Sequence, residues 1–281
     1  MSYTTLLSAH TLHSHINHAN WVIIDCRFSL ANSSTGPSAY RMGHLPHARY
    51  AHLDQDLSST ITDLTGRHPL PNFKVLAQKL GAWGISNDTQ VVAYDDAGGA
   101  FAGRLWWLLR CLGHDKVAVL DGGLKQWQQH YGLTTQLPKV EKTIFRAYLD
   151  TNQWLNATQV QNKLAQHTIC LIDARTPERF RGEQEPIDPI AGHIPHALNR
   201  AFQLNLDKAG LFLPAQTLKQ QFNQLIGKTS PEHVVHYCGS GVTACHNLLA
   251  MEYAGLTGSK LYAGSWSEWI RNKHRTVATG Q

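Results

Sequence analysis

The sequence predicts an α/β protein of two tandem domains, each a mostly parallel sheet flanked by helices on both faces. Three observations predict it. The chain repeats itself once, at a nearly constant offset. Short apolar, β-branched runs alternate with helical patterns in each copy. A length of 281 residues suits two domains of ordinary size.

The repeat organises everything else. Val22-Ile23-Ile24-Asp25-Cys26-Arg27 matches Cys170-Leu171-Ile172-Asp173-Ala174-Arg175. Gly43-His44-Leu45-Pro46-His47-Ala48 matches Gly192-His193-Ile194-Pro195-His196-Ala197. The run 91–95 matches 234–238, and 120–127 matches 262–269. The offsets are 148, 149, 143 and 142 residues, too long for a solenoid and right for a duplicated domain.

Within the first copy, residues 22–25, 90–94 and 117–120 read as buried parallel strands. Residues 168–173, 233–237 and 260–262 are their counterparts. Residues 101–111 and 242–255 read as matching helices, with Gly113 and Gly255 where a helix-terminating glycine belongs. The polar stretch 132–142, which contains Pro138, reads as the linker. The domains are therefore expected at 1–135 and 143–281.

Composition narrows the function. The net charge is +5, yet Lys and Arg are scattered, with one small cluster at Arg271, Lys273 and Arg275. A nucleic-acid binder would carry a denser stripe; the charge fits a preference for small anions instead. The five cysteines form no Cys-x-x-Cys pair, and the 17 histidines share no metal-site spacing. Neither a disulfide framework, a metal nor an organic cofactor is expected. The first 20 residues hold no apolar signal core, and no run reaches the roughly 18 apolar residues of a membrane span. A reducing, cytoplasmic setting with no membrane or nucleic-acid partner is the expectation.

The two copies differ where it matters for chemistry. The strand 234–237 runs into Cys238-Gly239-Ser240-Gly241-Val242-Thr243-Ala244, whereas its counterpart runs into Asp95-Asp96-Ala97-Gly98-Gly99. A strand-to-helix loop lies at the carboxyl end of the sheet, where open α/β folds bind ligands. A thiol works as a nucleophile near neutral pH when its anion is favoured, and a helix N-terminus favours anions. Gly239 and Gly241 allow the backbone to curl so that N–H groups face the sulfur, and Ser240 and Thr243 add hydroxyls. Cys238 is thus the candidate nucleophile. Cys26, Cys111, Cys170 and Cys245 read as packing residues.

These residues closely resemble the tandem-rhodanese sulfurtransferases, the family of thiosulfate and 3-mercaptopyruvate sulfurtransferases. The resemblance rests on the 238–244 loop, both Gly-His-x-Pro motifs, Asp173-Ala174-Arg175, Leu120-Asp121-Gly122-Gly123 and Tyr262-Ala263-Gly264-Ser265-Trp266, and covers nearly the whole chain. It implies that the first, Asp95-bearing domain is catalytically silent. It implies that Cys238 carries sulfur as a persulfide, from a small anionic donor to cyanide or a thiol acceptor, such as a small thiol or a thioredoxin-like protein.

The Gly239-Ser240 pair resembles the mercaptopyruvate branch. The resemblance makes Arg179 the group that binds the donor's anion. It reads Gly239, Gly241, Val242 and Thr243 as the walls of the donor site. It also implies a relay in which Ser240, His68 and Asp54 polarise the donor, in a site between the domains. One departure stands out. Mercaptopyruvate enzymes carry a second Arg after a Glu-Pro pair, whereas Glu185-Pro186 is followed here by Ile187. Arg181 is the nearest substitute in the sequence. His44 and His193 are expected to hydrogen-bond structurally.

Two rivals stand against this reading. A Cys-loop phosphatase would need an Arg in the loop to bind phosphate, and residues 239–245 contain neither Arg nor Lys. A non-enzymatic rhodanese-like binding module is the other; Asp95 indicates that the fold survives without the cysteine.

Overall fold

The structure, a computed structural model, describes residues 2–280. The chain folds as two units with the same order of elements. The first runs β1 (Leu6–Leu7), α1 (Ala9–Ser14), β2 (Trp21–Asp25), α2 (Thr35–Met42), β3 (Arg49–Tyr50), α3 (Phe73–Ala82), β4 (Gln90–Tyr94), α4 (Ala102–Cys111), β5 (Val117–Leu120) and α5 (Gly123–Gln128). The second runs β6 (Trp154–Leu155), α6 (Ala157–Ala165), β7 (Cys170–Asp173), α7 (Pro177–Arg181), β8 (Leu198–Asn199), α8 (Ala215–Ile226), β9 (Val234–Tyr237), α9 (Ala244–Tyr253), β10 (Lys260–Tyr262) and α10 (Ser265–Trp269).

Each unit holds a five-stranded sheet, in the orders β1-β5-β4-β2-β3 and β6-β10-β9-β7-β8. Every strand pairing within them is parallel. Parallel strands must be covered on both faces, and every residue of β4 and of β9 is buried. Gly113 and Gly255 adopt φ of 75° just past α4 and α9, so both stop their helices as expected.

The repeat has a matched polar core. In the first unit the Arg27 guanidinium grips Asp25 (Nη2–Oδ2 2.6 Å) and also donates to Gly43 O (2.7 Å). In the second, Arg175 grips Asp173 (2.7 Å) and donates to Gly192 O (2.7 Å). Each Arg thereby ties the first long strand to the Gly-His loop. His44 and His193 hydrogen-bond through Nδ1 to the carbonyls of Tyr40 and Phe180, both at 2.8 Å, as structural histidines should. The following His47 and His196 both take left-handed φ, 65° and 66°.

The two units are not simple halves of the chain. The first comprises Met1–Ser59, Leu70–Asp150 and Lys208–Leu211; the second comprises Thr60–Pro69, Thr151–Asp207 and Phe212–Gln281. The expected linker packs on the first unit, where Thr134 pairs with His44, and beyond it Tyr148 N–H donates to Leu112 O (2.9 Å). Its backbone groups find partners there, so the first unit extends to Asp150 rather than ending near residue 135. The strap Thr60–Pro69 sits on the turn before α10. A Cβ on Gly66 would fall 2.4 Å from Gly264 O, and Arg67 N–H donates to Ser267 Oγ (3.0 Å).

Candidate active site

Strand β9 ends at Tyr237, and Cys238 opens the loop that leads to α9. Cys238 is 2 % exposed. Gly241 N–H donates to Cys238 Sγ (3.2 Å). Gly241 adopts φ of +78°, and a Cβ there would lie 2.2 Å from Ala263 O, so the curl requires glycine. Beneath the loop, Cys238 N–H donates to Ser265 Oγ (3.1 Å), and Ser265 Oγ–H donates to Tyr262 O (2.9 Å). Ser265 is buried at a left-handed φ of 56°, a conformation that its two hydrogen bonds help to hold. The N–H groups of Ser240, Val242 and Thr243 have no acceptor among the described residues.

The first unit displays what such a loop binds. Asp95 stands at the position of Cys238, and its carboxylate accepts from the N–H groups of Ala97 (2.9 Å), Gly99, Phe101 and Ala102 (each 2.8 Å). Four convergent N–H groups form an anion cradle, here filled by the chain's own side chain.

Ser240 is buried, and its Oγ lies 2.7 Å from His68 Nδ1. The strap brings His68 there as part of the second unit. Asp54 belongs to the first unit, in the turn after β3, where burial raises its carboxyl above the usual value and the charge of His52 opposes that rise. Val242 is buried and Thr243 half-buried at the start of α9; the Thr243 hydroxyl does not cap that helix. Cys245 is buried at the first turn of α9 and donates to Gly241 O (3.4 Å), a packing role.

Arg179 lies on α7, held by Glu185 through Nη2–Oε1 (2.7 Å) and Nε–Oε2 (3.2 Å). Its guanidinium overhangs Gly239: a Cβ there would be 3.5 and 3.7 Å from Nη2 and Nη1. Arg181 points elsewhere. It is half-buried and pairs with Glu183 (2.7 Å), because that carboxylate lies two residues away along the same turn. The group that joins Arg179 is Arg67 of the strap. Arg67 Nη2 would be 2.8 Å from a Cβ on Gly239, and Arg67 Nη1 is paired with Asp188. Burial lowers the Arg67 pKa from its ordinary value, and the charge of Cys238 opposes that fall without cancelling it. Sequence reasoning passed over Arg67; its position beside His68 was the available signal. Among the described residues, no group of three or more His, Cys, Asp or Glu is arranged to hold a metal.

The rhodanese-like domain family matches this chain twice, over residues 8–130 and 154–272. The chain belongs to that family. Over 283 aligned residues it is 47% identical to a probable 3-mercaptopyruvate sulfurtransferase of Pseudomonas aeruginosa, with 100% of both chains covered. It is 38% identical to a putative thiosulfate sulfurtransferase of Mycobacterium tuberculosis, covering 92% of this chain and 90% of the other. Among solved structures, a 3-mercaptopyruvate sulfotransferase from Escherichia coli superposes with a TM-score of 0.81 at 30% identity, covering 95% of this chain and all (100%) of that one. The chain is therefore an enzyme, a sulfurtransferase of the thiosulfate/3-mercaptopyruvate group. The reading of a non-enzymatic module falls with that finding.

Proposed function

We propose that this sulfurtransferase takes sulfur from 3-mercaptopyruvate onto Cys238 and passes it from the resulting persulfide to a thiol, or to cyanide in an assay. The observation that carries the reading is the convergence on one loop. The Cys238 sulfur sits beside Gly241 N–H, with the Ser240–His68 pair and two guanidinium groups at the same turn.

The chemistry then balances as follows. The Cys238 thiolate attacks the donor sulfur, forming an S–S bond. The C–S bond breaks, and its electron pair passes into the adjoining ketone as an enolate, which takes up a proton and leaves as pyruvate. Ser240 Oγ–H, backed by His68, donates to the enolate oxygen as charge develops there. Asp54 is the third member of the relay that the family resemblance implies. The outer sulfur takes the anion-binding place that Asp95 fills in the first unit, facing the loop N–H groups. An acceptor thiolate or cyanide attacks that sulfur, the S–S bond breaks, and Cys238 thiolate returns.

The first unit is catalytically silent in this reading, because a carboxylate at 95 cannot carry sulfur. The donor assignment draws on the Pseudomonas relative named for 3-mercaptopyruvate, and on Ser240, which has a ketone oxygen to serve in that donor. Five free cysteines suit a reducing, cytoplasmic setting, with a small thiol or a thioredoxin-like protein as acceptor. The test is to mix the protein with mercaptopyruvate, without acceptor, and weigh it. Wild type gains one sulfur atom, and Cys238→Ser gains none. A Cys238→Ser variant that still forms thiocyanate from cyanide at the wild-type rate overturns the mechanism.

A further inference from the structure

Ser240 and His68 come from segments far apart in the chain, and one residue of α10 holds the backbone of both. Ser267 is buried. Its N–H donates to Gly239 O (2.9 Å), the carbonyl just before Ser240. Its Oγ accepts from the N–H of Arg67 (3.0 Å), the residue just before His68. The same hydroxyl donates to Gly264 O (3.5 Å), which leaves its lone pairs to the strap. The strap comes close enough that a Cβ on Gly66 would fall 2.8 Å from Ser267 Oγ. Nearer the start of the strap, Arg271 Nη1 donates to Asp63 O (3.4 Å).

The neighbouring Trp266 N–H donates to Cys238 O (3.0 Å). In a trans peptide a carbonyl and the N–H that follows it point opposite ways. Holding the carbonyls of Cys238 and Gly239 from α10 therefore turns the N–H groups of Gly239 and Ser240 away from that helix. The silent copy keeps only the first of these ties. Leu124 N–H donates to Asp95 O (2.8 Å), as Trp266 does to Cys238 O. Lys125 stands where Ser267 stands, is exposed, and makes no bond to the loop after β4 among the described residues. The second tie and the acceptor for the strap belong to the copy that has a Ser–His pair to hold.

We propose that Ser267 is a positioning residue for sulfur transfer: it fixes Ser240 through the loop and His68 through the strap, and so sets the 2.7 Å approach of their side chains. The proposal rests on the reading in which that pair polarises the donor. Without Ser267 Oγ, the Arg67 N–H must find another acceptor, and the backbone that carries His68 turns with it. Ser240 stays in place, since alanine at 267 retains the N–H to Gly239 O.

The test is a double-mutant cycle of Ser267→Ala and His68→Ala, read as kcat for sulfur transfer from mercaptopyruvate to cyanide. Ser267→Ala should lower kcat about 5- to 30-fold, the effect of one buried N–H left without its acceptor. Ser267→Thr, which keeps the oxygen, should recover most of that loss. The double variant should be no slower than His68→Ala alone. Thiosulfate has no ketone oxygen for Ser240 to serve, so its kcat should fall several-fold less. Melting temperatures monitor folding. Wild-type kcat in Ser267→Ala overturns the proposal. So does a double variant slowed by the product of the two single losses, or an equal loss with both donors, because a merely structural role gives that pattern. In each of these cases a slow His68→Ala leaves the reading of the Ser240–His68 pair intact, whereas wild-type kcat in His68→Ala would sink that reading itself.

Discussion

His236, two residues before Cys238 on β9, gives the second unit a built-in sensitivity to acid. It is fully buried against Met251 Sδ (Nε2···Sδ 3.1 Å) and the Phe222 ring, with Nδ1 unpartnered. Burial first, and then the charge of Arg200, lowers its pKa from 6.5 to about 3. The folded state therefore holds a neutral imidazole that the unfolded chain would protonate. The sign follows: this stabilisation is complete above pH 6.5 and is lost as pH falls towards 3. Between pH 8 and pH 5 the loss works out at about 2 kcal/mol, within a limit of about 5 kcal/mol at lower pH.

The perturbation is His236→Leu, which removes the titration and the unsatisfied nitrogen together. The assay is thermal unfolding of both proteins at pH 8 and pH 5. Comparing pH dependences cancels the other titrating groups and any packing cost of leucine. Wild type should lose about 4–8 °C more than the variant between the two conditions. Parallel declines would refute the argument, because they would mean that His236 is not held neutral.

Three further outcomes follow from the loops. Gly241→Ala should destabilise the second unit by about 2–4 kcal/mol and abolish transfer, since its φ and the Ala263 carbonyl both oppose a Cβ; a near-native melting curve would contradict this. Ser265→Ala keeps the left-handed strain and loses the bond to Cys238 N–H, whereas Ser265→Gly loses the bond alone. Both should cut kcat, with glycine the more stable in urea titration by about 1 kcal/mol. Asp95→Ala leaves four N–H groups without their acceptor, so the first unit should lose about 1–3 kcal/mol while KM for the donor, measured by thiocyanate formation, stays unchanged.

The strands were legible because burial on both faces writes itself as short, mostly apolar runs: 90–94, 117–120 and 260–262 coincide with β4, β5 and β10. The glycines at 113 and 255 marked their helix ends for the same direct reason, since left-handed backbone at that place selects glycine. Strands β1, β3, β6 and β8 have two residues each and cannot carry a period. Cys238 and its loop were legible from local chemistry, and Arg179 and His68 from the family resemblance. Arg67 was not, because its meaning depends on Asp188 and Gly239, both far along the chain. The alignment of Gly123 with Ser265 held an unread clue. A glycine in one copy signals positive φ, and φ is indeed 54° and 56° at the two sites.

The exchange of segments between the units bears on how the duplication can be taken apart. A cut between the repeats would leave each five-stranded sheet whole, yet the fragment 143–281 would lack Arg67 and His68. Such a fragment keeps Cys238 and Ser240 and parts with His68, whose Nδ1 lies 2.7 Å from Ser240 Oγ, and with Arg67, which pairs with Asp188. Residues 60–69 of the second unit lie in sequence between two segments of the first, so a cut at the linker parts the second unit from one of its own segments.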